Sequence, residues 1–169
     1  RKGQTKSFTV DKIQLKFKMD SSWQNRLRTQ FSYRHHNEVD DPRLDGILIH
    51  DLIGEVNHEE DVNLVIENAL ELGVIRQSET VHYTKLLLAV VNHPKLKIYF
   101  NKNFKIYNEQ DILIPEMSFI RPDRVVKTDS HWAIIDYKTG KYSTKHEFQI
   151  SRYSEIIHQM TKEKCKKFL

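Results

Sequence analysis

Two runs of β-forming residues, each carrying an acid near one end, flank a short polar stretch and constrain this chain more than any other feature. The first, Ser118 to Val126, contains Arg121-Pro122-Asp123-Arg124-Val125-Val126; the second, Trp132 to Tyr137, leads through Ile134-Ile135-Asp136-Tyr137 into Lys138-Thr139-Gly140. Aromatic and β-branched residues suit a pleated, half-buried surface. Lys127-Thr128-Asp129-Ser130-His131 between them is polar and turn-prone, so the pair predicts a β-hairpin. If Lys127 faces Trp132 across a four-residue loop, a common hairpin length, Asp123 falls opposite Asp136. Facing residues of an antiparallel pair hold their Cβ atoms roughly 4.5–5.5 Å apart. Lys138, two residues past Asp136, projects from the same strand face.

That combination has a definite chemistry. Carboxylates are hard oxygen ligands suited to Mg²⁺ or Mn²⁺. Without a cation, two adjacent acids repel and one tends to stay protonated. With one, both ionise, and the metal polarises a phosphoryl oxygen and acidifies bound water. An ammonium beside them orients that water and offsets charge in the transition state. The plain alternative is a surface hairpin with scattered charges.

Four segments, in order, raise the metal-site reading. Gly46-Ile47-Leu48-Ile49-His50, Arg121-Pro122-Asp123-Arg124-Val125, Ile135-Asp136-Tyr137-Lys138-Thr139-Gly140 and Gln149-Ile150-Ser151-Arg152-Tyr153 span residues 46–153. Together they resemble the PD-(D/E)xK nucleases of the RecB-like branch, the type fused to UvrD-like helicases. The resemblance implies an α/β fold, a small mixed β-sheet flanked by helices. It implies a divalent-metal-dependent deoxyribonuclease with Asp123, Asp136 and His50 as metal ligands, the Tyr137 carbonyl as a further one, and Lys138 as the catalytic lysine. It also implies an exonuclease domain, fed single-stranded DNA ends by helicase domains of the same polypeptide in DNA repair and recombination.

Each motif has a bland counterpart. Asp41-Pro42 suits a helix N-cap and first turn, and His50 follows with Ile47, Leu48 and Ile53 supplying apolar spacing. Gly46 and Gly54 lie one turn either side of it, leaving the imidazole open to approach, although each glycine costs about 1 kcal/mol relative to alanine in a helix. A histidine on an apolar face is otherwise a core residue. Glu116, just after Pro115, is a possible site acid or a solvated strand-start glutamate; strict alternation points it away from Asp123 unless Pro122 marks a bulge. Gln149 and Tyr153 share one helix face and fall off a proposed buried stripe of Phe148, Ile150, Ile156 and Ile157, which favours a role near the DNA backbone. Arg121, Arg124, Lys141, Lys145 and Arg152 surround the site in sequence as candidate phosphate contacts.

Charge is segregated. Residues 1–36 hold nine Lys/Arg and two acids (net +7), 37–75 one Arg and eleven acids (net −10), and 76–169 seventeen Lys/Arg and ten acids (net +7). Basic ends suit a polyanion; the acidic middle should face away from it or dock a partner. Cys165 is the only cysteine. It allows neither an internal disulfide, in keeping with a cytoplasmic location, nor the four-cysteine iron–sulfur cluster of some RecB-like nucleases. The longest apolar run, Leu86–Val91, has six residues, too short for a membrane span. The polar start without methionine suggests that residues 1–169 form a single domain that is a fragment of something larger.

Periodicity predicts a strand over 8–17, helices over 23–33, 42–56, 60–73, 79–92 and 146–163, and short strands at 96–100 and 104–107. Lys166-Lys167-Phe168-Leu169 reads as the start of another strand. Two other functions stay open: a nuclease-like module that binds DNA or docks a partner without cutting, and a restriction-type endonuclease. The Gly46–His50 and Gln149–Tyr153 motifs argue against the second.

Overall fold

The computed structural model describes residues 42–114 and 118–169. The expected strand over 8–17, the helix over 23–33 and the candidate acid Glu116 lie outside them. Among the described residues, those up to Phe104 belong to one compact unit and those from Lys105 to another.

The first unit is helical. Helices α1 (Pro42–Glu55), α2 (Asp61–Glu71) and α3 (Thr80–Val91) fall within two residues of the predicted bounds at every end. Each buries apolar residues at three- and four-residue spacing: Leu48, Ile49, Leu52 and Ile53 on α1, Val62, Val65, Ile66 and Ala69 on α2, Tyr83, Leu86, Leu87, Val90 and Val91 on α3. Start and stop signals are local. Asp61 Oδ2 accepts from the backbone N–H of Asn57 and His58 (3.1 and 2.8 Å) ahead of α2. Past its end Gly73 adopts φ +68, a left-handed conformation that only glycine takes without strain, and Val74 N–H returns to the Ala69 carbonyl at 2.8 Å. The segment expected as a strand at 96–100 is instead a 3-10 turn, Lys97–Phe100. Leu96, Tyr99 and Phe100 turn inward while Ile98 stays exposed, a helical rather than an alternating pattern.

The second unit contains a four-stranded sheet in the order β1 (Lys105–Asn108), β4 (Arg124–Lys127), β5 (Trp132–Ile135), β6 (Cys165–Phe168), beside a separate hairpin of β2 (Ile112–Ile114) and β3 (Ser118–Ile120). The β4–β5 hairpin has the predicted register, with Lys127 opposite Trp132 and Arg124 opposite Ile135. Its loop is organised by Thr128, whose hydroxyl donates to the His131 carbonyl (2.7 Å) and accepts from the His131 N–H (3.0 Å). The run from Ser118 to Val126 is not one strand. It breaks at Arg121-Pro122, where proline offers no N–H to a ladder, and β3 pairs with β2 rather than with β5.

Strand β6 runs parallel to β5. A parallel neighbour needs a crossover, which helix α4 (Thr144–Thr161) provides. Val125 and Ile134 on one sheet face pack with Ile150, Tyr153 and Ile157 of α4 in a single core cluster. On the other face Val126, Ala133 and Ile135 are also buried. The buried stripe of α4 thus includes Tyr153 and excludes Phe148, which is 77% exposed. Replacing Ile150, 0% exposed at the centre of this contact, by alanine should lower stability by about 2–5 kcal/mol. Urea denaturation measures it, and a loss well under 1 kcal/mol would mean that α4 does not anchor the sheet.

Candidate active site

The site grows from the end of the β4–β5 ladder. One step beyond the Arg124–Ile135 pair the same register brings Asp123 opposite Asp136. The neighbouring strands hold both: Asp136 N–H donates to the Phe168 carbonyl and Glu109 N–H to the Asp123 carbonyl, each at 3.0 Å. Because Asn108 pairs with Arg124, Glu109 occupies the next position in line with Asp123. Three acids therefore stand in one row across three adjacent chain segments: Glu109, Asp123, Asp136. Carboxylate oxygens of Glu109 and Asp123 lie within 4.8 Å of each other. Glu109 has φ +48, a left-handed conformation that costs a non-glycine residue on the order of 1 kcal/mol and recurs at functional sites.

The electrostatics of the row are unfavourable. Asp136 is 1% exposed, and its Oδ2 lies 2.6 Å from Lys138 Nζ. The contact has the distance of an ion pair without hydrogen-bond alignment. Lys138 itself is 27% exposed, with its ammonium at the buried acid and room for approach from outside. Asp123 Oδ2 accepts the Tyr137 N–H at 2.6 Å. Burial and then the charge of Asp136 nevertheless push the Asp123 carboxyl up to about 7, against the opposing pull of that hydrogen bond and of Lys138. Carboxylates crowded in one row repel one another. A hard divalent cation among these oxygens would offset that repulsion, and the donor set fits one.

The remaining candidates divide. Gln149 Nε2 donates to the Tyr153 hydroxyl at 2.8 Å, so the two form a unit on α4, with the Tyr153 ring in the core and Gln149 half-buried beside it. Arg121 is exposed and grips Asp111 through both carboxylate oxygens, at 2.6 and 2.9 Å. Arg124 corrects the expectation of a phosphate contact. Its side chain alternates to the sheet face opposite Asp123, is 0% exposed and donates to Asn108 Oδ1 at 3.1 Å, so no strand of nucleic acid reaches it. Tyr137 is half-buried with its hydroxyl oxygen enclosed, and burial raises its phenol pKa. His50 lies on α1, in the helical unit, half-buried beside Ile49 and Ile53.

Sequence reading missed Glu109. No local signal marks it, since its place depends on the pairing of β1 with β4.

A search of the curated proteins found no match. The model of the PD-(D/E)XK nuclease superfamily matches residues 22–167, a stretch that takes in all but the last two described residues, with the Pro122-Asp123 pair and the Asp136-Tyr137-Lys138 run; the chain belongs to that superfamily.

Proposed function

We propose that this chain is a Mg²⁺- or Mn²⁺-dependent deoxyribonuclease domain. The observation that carries the reading is the row Glu109–Asp123–Asp136 with Lys138 on its buried end. Asp123 and Asp136 would hold the metal, Glu109 would support it from the row's exposed end, and the Tyr137 carbonyl would be a further ligand by resemblance to the RecB-like branch. The bound cation supplies polarisation of a phosphoryl oxygen and a lowered water pKa. Lys138 orients the attacking water and offsets charge that develops on the phosphate. Gln149, with Tyr153 behind it, and Arg121 contact the strand. The natural setting is an exonuclease domain of a cytoplasmic helicase–nuclease in DNA repair and recombination, receiving single-stranded ends from motor domains of its own polypeptide. Among the described residues no helix is long and apolar enough to cross a membrane, and nothing in this mechanism calls for one.

Two measurements test it. Calorimetric titration with Mn²⁺ should show saturable binding, and end-labelled single-stranded DNA should be degraded with Mn²⁺ or Mg²⁺ and left intact in EDTA. Folded protein that binds no Mn²⁺ at millimolar metal and cuts nothing would overturn the reading in favour of a docking module.

A further inference from the structure

Helix α4 carries an exposed stripe that the packing of the described residues does not use. Lys145, Phe148 and Arg152 stand at three- and four-residue spacing, so they share one face, and all three are exposed. Phe148 shows 77% of its surface to solvent on a helix whose opposite face holds Ile150, Tyr153 and Ile157 in the core. Exposing a ring of that size forfeits burial worth more than that of almost any other side chain, and the helix gains nothing from it internally. The stripe has an end: Glu155, exposed one turn beyond Arg152, closes the basic stretch. Gln149, adjacent to Phe148 in the chain, makes the hydrogen bond to Tyr153.

A cation, an aromatic ring and a second cation along about 10 Å of helix match the alternation of phosphate, base and phosphate in an unpaired strand. Every base has a face that stacks on an aromatic ring, and backbone charge is met by Lys and Arg. A duplex keeps its base faces covered, so the ring adds nothing there. An apolar protein partner would use Phe148 but would leave two flanking cations to be desolvated without anions. Charge complementarity therefore favours a polyanion with exposed rings.

We infer that Lys145, Phe148 and Arg152 form a single-strand contact, in which one unpaired base stacks on Phe148 and the flanking phosphates pair with Lys145 and Arg152. The inference rests on the nuclease reading for its substrate, and makes Phe148 a specificity determinant for unpaired over paired DNA.

The test separates the two readings because it needs neither metal nor cleavage. Binding of a fluorescein-labelled oligothymidylate to the whole chain is measured by anisotropy in EDTA, beside an abasic oligomer of equal length that keeps the phosphates and lacks the bases. Phe148→Ala should weaken oligothymidylate binding by about 5- to 100-fold and leave abasic binding unchanged, while Phe148→Trp should restore it. Lys145→Ala and Arg152→Ala should each flatten the dependence of log K on log salt by about 0.7, one single-strand phosphate contact. Phe148 is too exposed for its loss to unfold the helix. Equal affinity of Phe148→Ala and wild type for oligothymidylate, or an equal loss on both oligomers, would overturn the stacking contact and assign the ring to a protein partner. An inactive wild type would sink the nuclease reading and leave this result standing.

Discussion

Lys138→Ala should lower metal-dependent DNA cleavage by about 10²–10³-fold, the range for removal of one preorganised charge-stabilising group, while Mn²⁺ binding is kept or strengthened. The sign of the second effect is the diagnostic. Lys138 Nζ lies 2.6 Å from Asp136 Oδ2, so in the metal-free protein it competes with any incoming cation for the same oxygen. Removing it leaves a carboxylate that is 1% exposed without its nearest positive charge. A cation then gains what the lysine gave up. A purely structural ion pair predicts otherwise: Lys138→Ala would destabilise the fold, and no metal-dependent activity would exist to lose. Asp136→Asn is the companion variant. It keeps the backbone N–H to the Phe168 carbonyl and hence the β5–β6 junction, yet removes the anionic ligand, so binding and cleavage should vanish together. Calorimetry with Mn²⁺ and a gel assay on labelled DNA give both quantities. Full cleavage in both variants would remove the row from the mechanism.

The parts of this site that could be read from the chain are those set by local rules. The facing of Asp123 and Asp136 follows from one hairpin loop and strict strand alternation, both visible in Val125-Val126, Thr128–His131 and Trp132–Tyr137. The helical segments announce themselves by apolar spacing, and their bounds shift by only a residue or two. Glu109 is illegible for the opposite reason: the separate β2–β3 hairpin intervenes between it and Asp123, so no single turn near it in the chain sets the pairing of β1 with β4. The 96–100 run shows the ambiguity of short apolar segments, which periodicity alone does not assign to helix or strand. Apolar type, taken ahead of angle, misplaces Phe148 on the buried stripe. Two residues at about 100° each put it nearly opposite Ile150, whereas Tyr153 and Ile157, three and seven residues on, fall on the buried side. The polar hydroxyl of Tyr153 disguised a core residue, and the ring of Phe148 disguised a surface one.

Asp123→Asn should make the metal-free protein more stable at neutral and alkaline pH while abolishing its response to metal. The ordinary carboxyl value is 3.8, and burial with the neighbouring charge of Asp136 raises that of Asp123 to about 7. A raised acid holds its proton longer in the folded chain than in the unfolded one. Below pH 4 both states are protonated and the group contributes nothing. Between pH 4 and 7 only the unfolded state ionises, so stability falls as pH rises, by about 1.4 kcal/mol per unit and on the order of 4 kcal/mol across the window. Above pH 7 the penalty is complete. Asparagine is never charged, and its side-chain oxygen still accepts the Tyr137 N–H that Asp123 binds at 2.6 Å, so the variant escapes the loss without giving up the contact. In EDTA its melting temperature should match wild type near pH 4 and exceed it at pH 8. Mn²⁺ should then reverse the order at pH 8, because only the aspartate gains a ligand bond from ionising. By the same linkage, wild-type Mn²⁺ affinity should rise about tenfold per pH unit below 7, as one proton leaves for each ion bound, and flatten above it. A variant less stable than wild type at pH 8 in EDTA would show that the ionised carboxylate contributes to the fold itself, and would detach the raised proton affinity of Asp123 from metal binding.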